Sequence, residues 1–116
     1  MKEYDNNEYG RDFHVIEYGK DDMFGGYPTD NMMNILMKAR LEYKYLKVID
    51  KTYGVEHINY YKDGAKHHDF GPSETYDSVH KKYYVNDKKM KDDEFTNWRR
   101  TKLMDEMLND ISHTNI

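Results

Sequence analysis

The middle of the chain carries a short internal repeat. Residues 60–66 read YYKDGAK, and 23 residues later positions 83–89 read YYVNDKK. In each copy a pair of tyrosines, a residue type that favours strands, runs into Asp, Asn or Gly positions that tolerate a positive φ. This order is typical of a β-hairpin with a tight turn. The repeat therefore predicts hairpins that turn at 63–64 and at 86–87, and it restricts the middle of the chain to antiparallel strands.

Length and composition limit the rest of the molecule. A chain of 116 residues fits a single domain with one modest core. We expect one domain over 1–116, in which the polar residues 1–12 form a flexible arm. Only 37% of the residues are hydrophobic, and twelve tyrosines add apolar area with polar tips. Such a composition suits half-buried sheets and interfaces.

Several functional classes are disfavoured by composition. The absence of cysteine excludes disulfides, thiolate catalysis and cysteine-based zinc sites. The net charge of −4, with both signs mixed along the chain, argues against a dedicated duplex-DNA binder. The longest apolar run is a few residues, so we expect no membrane contact and a cytoplasmic location. No pattern calls for a cofactor.

A helix is predicted after the loop at 19–28. Thr29 is a suitable N-cap, and Asp30 lies at the positive end of the helix dipole. Apolar residues continue at helical spacing as far as Gly54, a residue type common just after a helix end. We therefore favour one long helix over about 30–53.

The alternative breaks this helix near Lys44. It makes Tyr45–Tyr53 a strand, because Val48, Ile49 and Thr52 are β-branched and fit a pleated sheet.

The predicted helix carries a second apolar stripe. Met33, Met37 and Leu41 repeat every four residues, on a different side from the stripe that begins at Met32. A surface helix normally shows one stripe. Two stripes indicate burial on two sides, either within the domain or against a partner. Methionine is common at adaptable contact surfaces.

An antiparallel meander is predicted over about 56–90, followed by a C-terminal helix over about 92–111. The fold class is therefore α+β. Phe95 and Trp98 lie on one side of this last helix, whereas the apolar residues of its second half lie on the other. Either the helix breaks near 99–101, or its halves contact different surfaces. The candidate protein contacts in the second half are Met104, Met107 and Leu108.

The stretch 63–95 resembles a known repeat. Asp63-Gly64-x-x-His67 leads to Gly71-Pro72, and the second copy of the repeat follows. This resembles the tandem β-hairpin repeat of phage and large-virus proteins, D-G-x-x-H-R-x-x-G-P-A … Y-Y-x-N-G-K-x-H, which is similar in style to MORN-type repeats. The match covers about a third of the chain, and Asp87 replaces the turn glycine of the family. The resemblance implies a small meander and a phage or mobile-element origin, and it lends no catalytic residues.

Histidines crowd the first copy of the repeat. If the strand after the turn runs on to Phe70, Asn59 pairs with His68, and His57 and His68 then share one face. They form the candidate pair for a metal ion, within a wider set for a metal-dependent hydrolase that comprises His57, His67, His68, Asp69 and His80. Neighbours on a strand point to opposite faces, so His67, His68 and Asp69 do not form a compact triad. We interpret His67 as a structural residue beside the turn.

Basic and aromatic residues are interleaved in two places. On a sheet, such residues can stack the bases of a single strand. The candidate nucleic-acid set comprises Lys81, Lys82, Tyr83, Tyr84, Trp98, Arg99 and Arg100.

Three functional hypotheses follow in order. The first is a non-enzymatic protein of phage or mobile-element origin that binds, and inhibits, a host or defence protein. The second is a single-stranded nucleic-acid-binding module, and the third is the metal-dependent hydrolase. Each of the two predicted helices carries apolar residues on more than one side, so one buried face cannot cover them all. We therefore also expect self-association into a homo-oligomer.

Overall fold

The structure is a computed structural model that describes the backbone of residues 1–114 and the side chains of residues 1–108. It is an α+β fold with one large sheet, a two-stranded sheet and two α-helices. The elements in chain order are β1 Lys2–Glu8, β2 Arg11–Tyr18, a short 3-10 helix Lys20–Asp22, β3 Met23–Phe24, β4 Tyr27–Pro28, α1 Asp30–Glu42, β5 Tyr45–Asp50, β6 His57–Lys62, β7 Ala65–Lys66, β8 Glu74–Tyr76, β9 His80–Val85, β10 Lys88–Met90 and α2 Asp92–Thr114.

The repeated hairpins are present, with turns where the repeat predicts them. Asp63 and Gly64 have φ of 50° and 82°, and Asn86 and Asp87 have φ of 49° and 68°. The registers of the two copies are equivalent, because Tyr61 pairs with Lys66 as Tyr84 pairs with Lys89. The prediction from the repeat is confirmed for both turns.

The sheet as a whole is mixed rather than a simple meander. Its strand order is β1-β2-β5-β6-β8-β9-β10, and β7 is a short additional neighbour of β6. The strands from β6 to β10 pair antiparallel, as expected for 56–90. However, β2 and β5 pair parallel, and α1 lies in the connection between them. Parallel neighbours need such a crossover connection.

The prediction of one helix over about 30–53 is wrong. The helix α1 ends at Glu42, and β5 follows as a central strand between β2 and β6. The alternative break near Lys44 is therefore the one observed. Leu46 and Val48 are buried in the sheet core, where pairing on both edges outweighs the helical spacing of the apolar residues.

The first residues also differ from the expected arm over 1–12. Strand β1 pairs with β2 along its whole length, from Lys2 opposite Glu17 to Glu8 opposite Arg11. Tyr9 and Gly10 form the turn, with φ of 53° and 76°. Polar composition at this edge reflects an exposed strand rather than an unpaired segment.

Apolar residues pack on both faces of the sheet. On one face Ile16, Leu46 and Val48 pack with Met32 and Ala39 of α1. The opposite face carries a second cluster built on Phe13, Val15 and Ile49, which partly buried tyrosines surround. Helix α1 thus covers one face, and long polar-tipped side chains cover the other.

Helix α2 is continuous across 99–101, so the alternative with a break there is not observed. Phe95 in its first half is buried, 4.8 Å from Tyr83 between ring centres. The second half, from Leu103 to Leu108, is exposed. The contribution of Ile111 to its stripe lies outside the described side chains.

Among the described residues, no helix combines the length and apolar character that a membrane crossing needs.

Candidate functional site

Helix α1 has one buried side and one exposed apolar side. Thr29 caps its start by accepting a hydrogen bond from the Met32 backbone N–H, at 3.2 Å. With this start, Met32 points into the core. Met33, Met37 and Leu41 then fall on the outer side, one turn apart, and Leu41 is 90% exposed. The second stripe in the sequence is therefore a surface feature, and burial inside the domain does not explain it.

The hairpin that leads into α1 exposes two further aromatic side chains. Phe24 is 84% exposed and Tyr27 is 77% exposed, on either side of a Gly25-Gly26 turn with positive φ. Strand β4, which contains Tyr27, contacts α1. The sequence predicts only a loop over 19–28, without an exposed aromatic pair. The available signal was an aromatic residue on each side of a Gly-Gly pair.

We call these five residues the α1 surface: Phe24, Tyr27, Met33, Met37 and Leu41. All five are exposed. Exposed Asn34 and Lys38 lie beside the helical part, so the apolar residues have polar neighbours. Protein interfaces combine an apolar centre, enriched in aromatic residues and methionine, with a polar rim.

The second half of α2 carries another set of exposed apolar residues, which we call the α2 stripe: Leu103, Met104, Met107 and Leu108. The last three were predicted protein contacts. They are separated from the α1 surface in the sequence and lie on a different helix. The structure therefore places all six predicted contact residues at exposed positions, on two helices.

His67 holds the loop between β7 and β8. Its Nδ1 accepts a hydrogen bond from the Asn86 backbone N–H at 3.2 Å, so Nε2 carries the proton and donates to Asp69 Oδ1 at 2.6 Å. Lys102 of α2 also donates to Asp69 Oδ1, at 2.6 Å. The His67 hydrogen bond and the Lys102 ammonium hold the pKa of the Asp69 carboxyl well below its usual range. Both His67 and Asp69 are buried, so this cluster ties the loop to α2.

His68 closes the same loop from inside. Its Nδ1 accepts hydrogen bonds from the backbone N–H groups of Phe70 and Gly71, at 3.0 and 3.1 Å. Its ring lies 4.5 Å from the Tyr60 ring and 6.2 Å from the Phe13 ring. Burial lowers the pKa of His68 to about 4, so the imidazole is neutral at physiological pH.

The predicted pairing of Asn59 with His68, which placed His57 and His68 on one face, is wrong. Strand β7 ends at Lys66, and Asn59 pairs with Glu74 of β8 instead of His68. His57 lies 3.5 Å from the Glu74 carboxylate, whereas His68 is buried in the loop. Within residues whose placement is described, no group of three His, Cys, Asp or Glu side chains is arranged to hold a metal ion.

The nucleic-acid candidates do not form one surface. Along β9, Lys82 and Tyr84 alternate with Lys81 and Tyr83, so the two pairs point to opposite faces. Lys82 lies 3.4 Å from the Glu74 carboxylate.

The three candidates on α2 have separate surroundings. Trp98 contacts His67 with 5.8 Å between ring centres, and Arg99 donates to the Phe70 carbonyl oxygen at 3.0 Å. Arg100 is exposed on the same helix. Trp98 and Arg99 therefore belong to the packing of α2 on the body of the protein.

Comparison with known proteins finds no counterpart: no protein-family model, curated protein or solved structure matches this chain.

Proposed function

We propose that this chain is a non-enzymatic protein-binding protein of phage or mobile-element origin. It acts in the cytoplasm of a host cell by occupying the surface of a host or defence protein, which it inhibits. The α1 surface is the single observation that carries the proposal. The resemblance to the phage hairpin repeat supports the origin.

Exposed large apolar side chains are individually common, but a set aligned on one side of a helix, as Met33, Met37 and Leu41 are, indicates a contact site. Full burial of one such side chain contributes about 1.5–3 kcal/mol, and the five residues are 44–90% exposed, so the α1 surface offers roughly 5–11 kcal/mol before association costs. Those costs are on the order of 4–15 kcal/mol. The α1 surface therefore supports a reversible complex only if the partner offers an apolar groove that buries most of it.

The chemistry of the α1 surface favours a protein partner. Methionine side chains are flexible and adapt to a groove, and Phe24 and Tyr27 supply large rigid contacts. A helix that presents residues at i, i+4 and i+8 fits the helix-in-groove mode of recognition. The most conspicuous polar cluster, around His67 and Asp69, is engaged in holding the loop, which supports binding rather than catalysis.

The test is affinity purification of the tagged full chain from cells of its native host, followed by mass spectrometry. The wild type is compared with Met37→Glu and with a matched control, Met104→Glu. Both methionines are exposed to a similar degree, 61% and 63%, so both variants should fold. We expect a specific protein that is recovered with the wild type and the control and is lost with Met37→Glu.

Two results would overturn this proposal. One is a set of captured proteins that does not change with Met37→Glu. The other is recovered material that disappears after nuclease treatment of the lysate, which would favour the nucleic-acid alternative.

A further inference from the structure

In the second half of α2, the described side chains of Met104, Met107 and Leu108 extend away from the body of the protein. The helix has 23 residues and is therefore about 34 Å long. Phe95 and the contact between Lys102 and Asp69 fix its first half. Beyond them, Met104, Met107 and Leu108 are all more than half exposed. The α2 stripe is thus an apolar surface carried on an anchored, regular helix.

We propose that the α2 stripe is the contact between two copies of this chain, which pair antiparallel through the second halves of their α2 helices. A two-fold contact uses the same residues on both copies, so a single stripe is sufficient to bury both. The stripe is self-complementary in this arrangement. When the two-fold axis passes between residues 105 and 106, Met104 of one copy lies beside Met107 of the other.

Charge selects the antiparallel orientation. At about 100° per residue, Arg100 projects from the middle of the stripe, one turn before Met104. Parallel pairing would bring the two Arg100 side chains face to face in the contact. Antiparallel pairing moves each Arg100 to the last turns of the other copy's helix, where the negative end of the helix dipole attracts a cation. Asp105 and Glu106 project about 130° from the centre of the stripe, so neither carboxylate is buried.

The size of the contact predicts a reversible dimer. A leucine or methionine side chain carries on the order of 100 Å² of apolar surface. The four stripe residues of each copy give eight side chains, each only partly exposed. When polar atoms make up about a third of the contact, as in homodimers, the total buried area is roughly 700 Å². This area is below the roughly 1,000 Å² of a stable interface, so we expect a weak, transient dimer that forms only at high protein concentration.

This inference does not rest on the proposed function. The contact uses α2 alone and leaves the α1 surface exposed for another protein. The two proposals therefore fail separately, because Met104→Glu tests one and Met37→Glu tests the other.

Sedimentation of the full chain tests the dimer. From about 1 µM to about 500 µM, the wild type should shift from the 14.1 kDa monomer to twice that mass, since association follows mass action. Met104→Glu should stay monomeric with an unchanged circular dichroism spectrum, whereas the matched variant Met37→Glu should dimerise as the wild type does. A wild type that remains monomeric, or a dimer that is lost with Met37→Glu and kept with Met104→Glu, would overturn the proposal. Loss of the dimer in both variants would also overturn it, because the contact would then include α1.

Disulfide trapping tests the orientation, and the natural chain has no cysteine to interfere. Antiparallel pairing separates the two copies of residue 100 by about 16 Å along the helix axis, which is too far for a disulfide. A mixture of Met104→Cys and Met107→Cys should form a mixed disulfide on mild oxidation, and Arg100→Cys should not form one with itself. Efficient Arg100→Cys dimers, or no mixed disulfide, would refute the antiparallel arrangement.

Discussion

Mild acid should destabilise this protein through His68. In the fold, His68 is buried and neutral, and its Nδ1 accepts two backbone hydrogen bonds. Its pKa is lowered from the ordinary 6.5 to about 4. Between these two values the unfolded chain binds a proton at this position and the folded chain does not. The contribution of His68 to the free energy of unfolding is therefore fully present above pH 6.5, and it is lost as the pH decreases towards 4.

The size of the effect follows from the two pKa values. At pH 5 the protonation of the unfolded state lowers the free energy of unfolding by about 2 kcal/mol relative to pH 7.5, for one group with pKa 6.5 unfolded and about 4 folded. Carboxylates whose pKa is lowered in the fold, such as Asp69 and Glu74, lose their contribution mainly as the pH falls below their ordinary values of 3.8 and 4.5. The interval from pH 7.5 to pH 5 therefore separates His68 from them.

The assay is urea unfolding at both pH values for the wild type and for His68→Asn. The Asn Oδ1 can take the position of the imidazole Nδ1 as acceptor, and Asn does not titrate in this range. The cost of the smaller side chain is present at both pH values, so it cancels in the difference. His80→Asn is the control, because His80 is exposed. Equal pH dependence in the wild type and His68→Asn would refute the reasoning.

Three further predictions concern the loop, a turn and α2. Asp69→Asn should lower the unfolding free energy by about 1–3 kcal/mol, measured by urea unfolding, because it replaces the buried carboxylate that accepts from His67 and Lys102 with a neutral amide; no change would show that His67 and Lys102 do not need the negative charge. Gly64→Ala should lower the free energy of unfolding by about 1–2 kcal/mol, measured by thermal melts, because the Gly64 φ is +82° and a Cβ would lie 3.3 Å from the Arg40 carbonyl oxygen. Gly10 has a similar φ but open space around it, so Gly10→Ala should lower the free energy of unfolding by less in the same melts. Equal losses in the two variants would exclude the Arg40 contact as a cause. Phe95→Ala should cost about 3 kcal/mol and increase amide exchange in α2 before the sheet, whereas uniform exchange would show that Phe95 does not anchor the helix.

The hairpins were predictable because their determinants are local. Asp63-Gly64 and Asn86-Asp87 specify positive φ within two residues, and the tyrosines beside them specify the strands. The start of α1 was predictable for the same reason, since the Thr29 cap depends only on neighbouring residues.

Local sequence could not favour strand β5 over a continuation of helix α1. The segment carries both a helical spacing of apolar residues and three β-branched residues, so local preference is balanced. The deciding contacts are pairings with β2 and β6, which lie far away in the sequence. Tertiary pairing therefore overrides the periodicity.

The site was predictable in part. Helical spacing identified Met33, Met37 and Leu41 as a second stripe, and they are exposed. Phe24 and Tyr27 were missed because an aromatic residue on each side of a Gly-Gly pair does not by itself show whether those residues are buried or exposed. The register at Asn59 was also missed. Strand β7 ends at Lys66, the His68 Nδ1 accepts from the Phe70 and Gly71 backbone N–H groups in the loop that follows, and β8 pairs with β6 beyond it.

The anchoring of α2 has a consequence for the length of the repeat array. The helix holds the loop of the first copy through Lys102 and Asp69, and it holds the strand of the second copy through Phe95 and Tyr83. An inserted third copy of 23 residues would move these two attachment points apart, and one rigid helix could keep only one of them. Helix α2 therefore sets the spacing of the two hairpin units, and a third unit inserted between its attachment points would break one of these contacts.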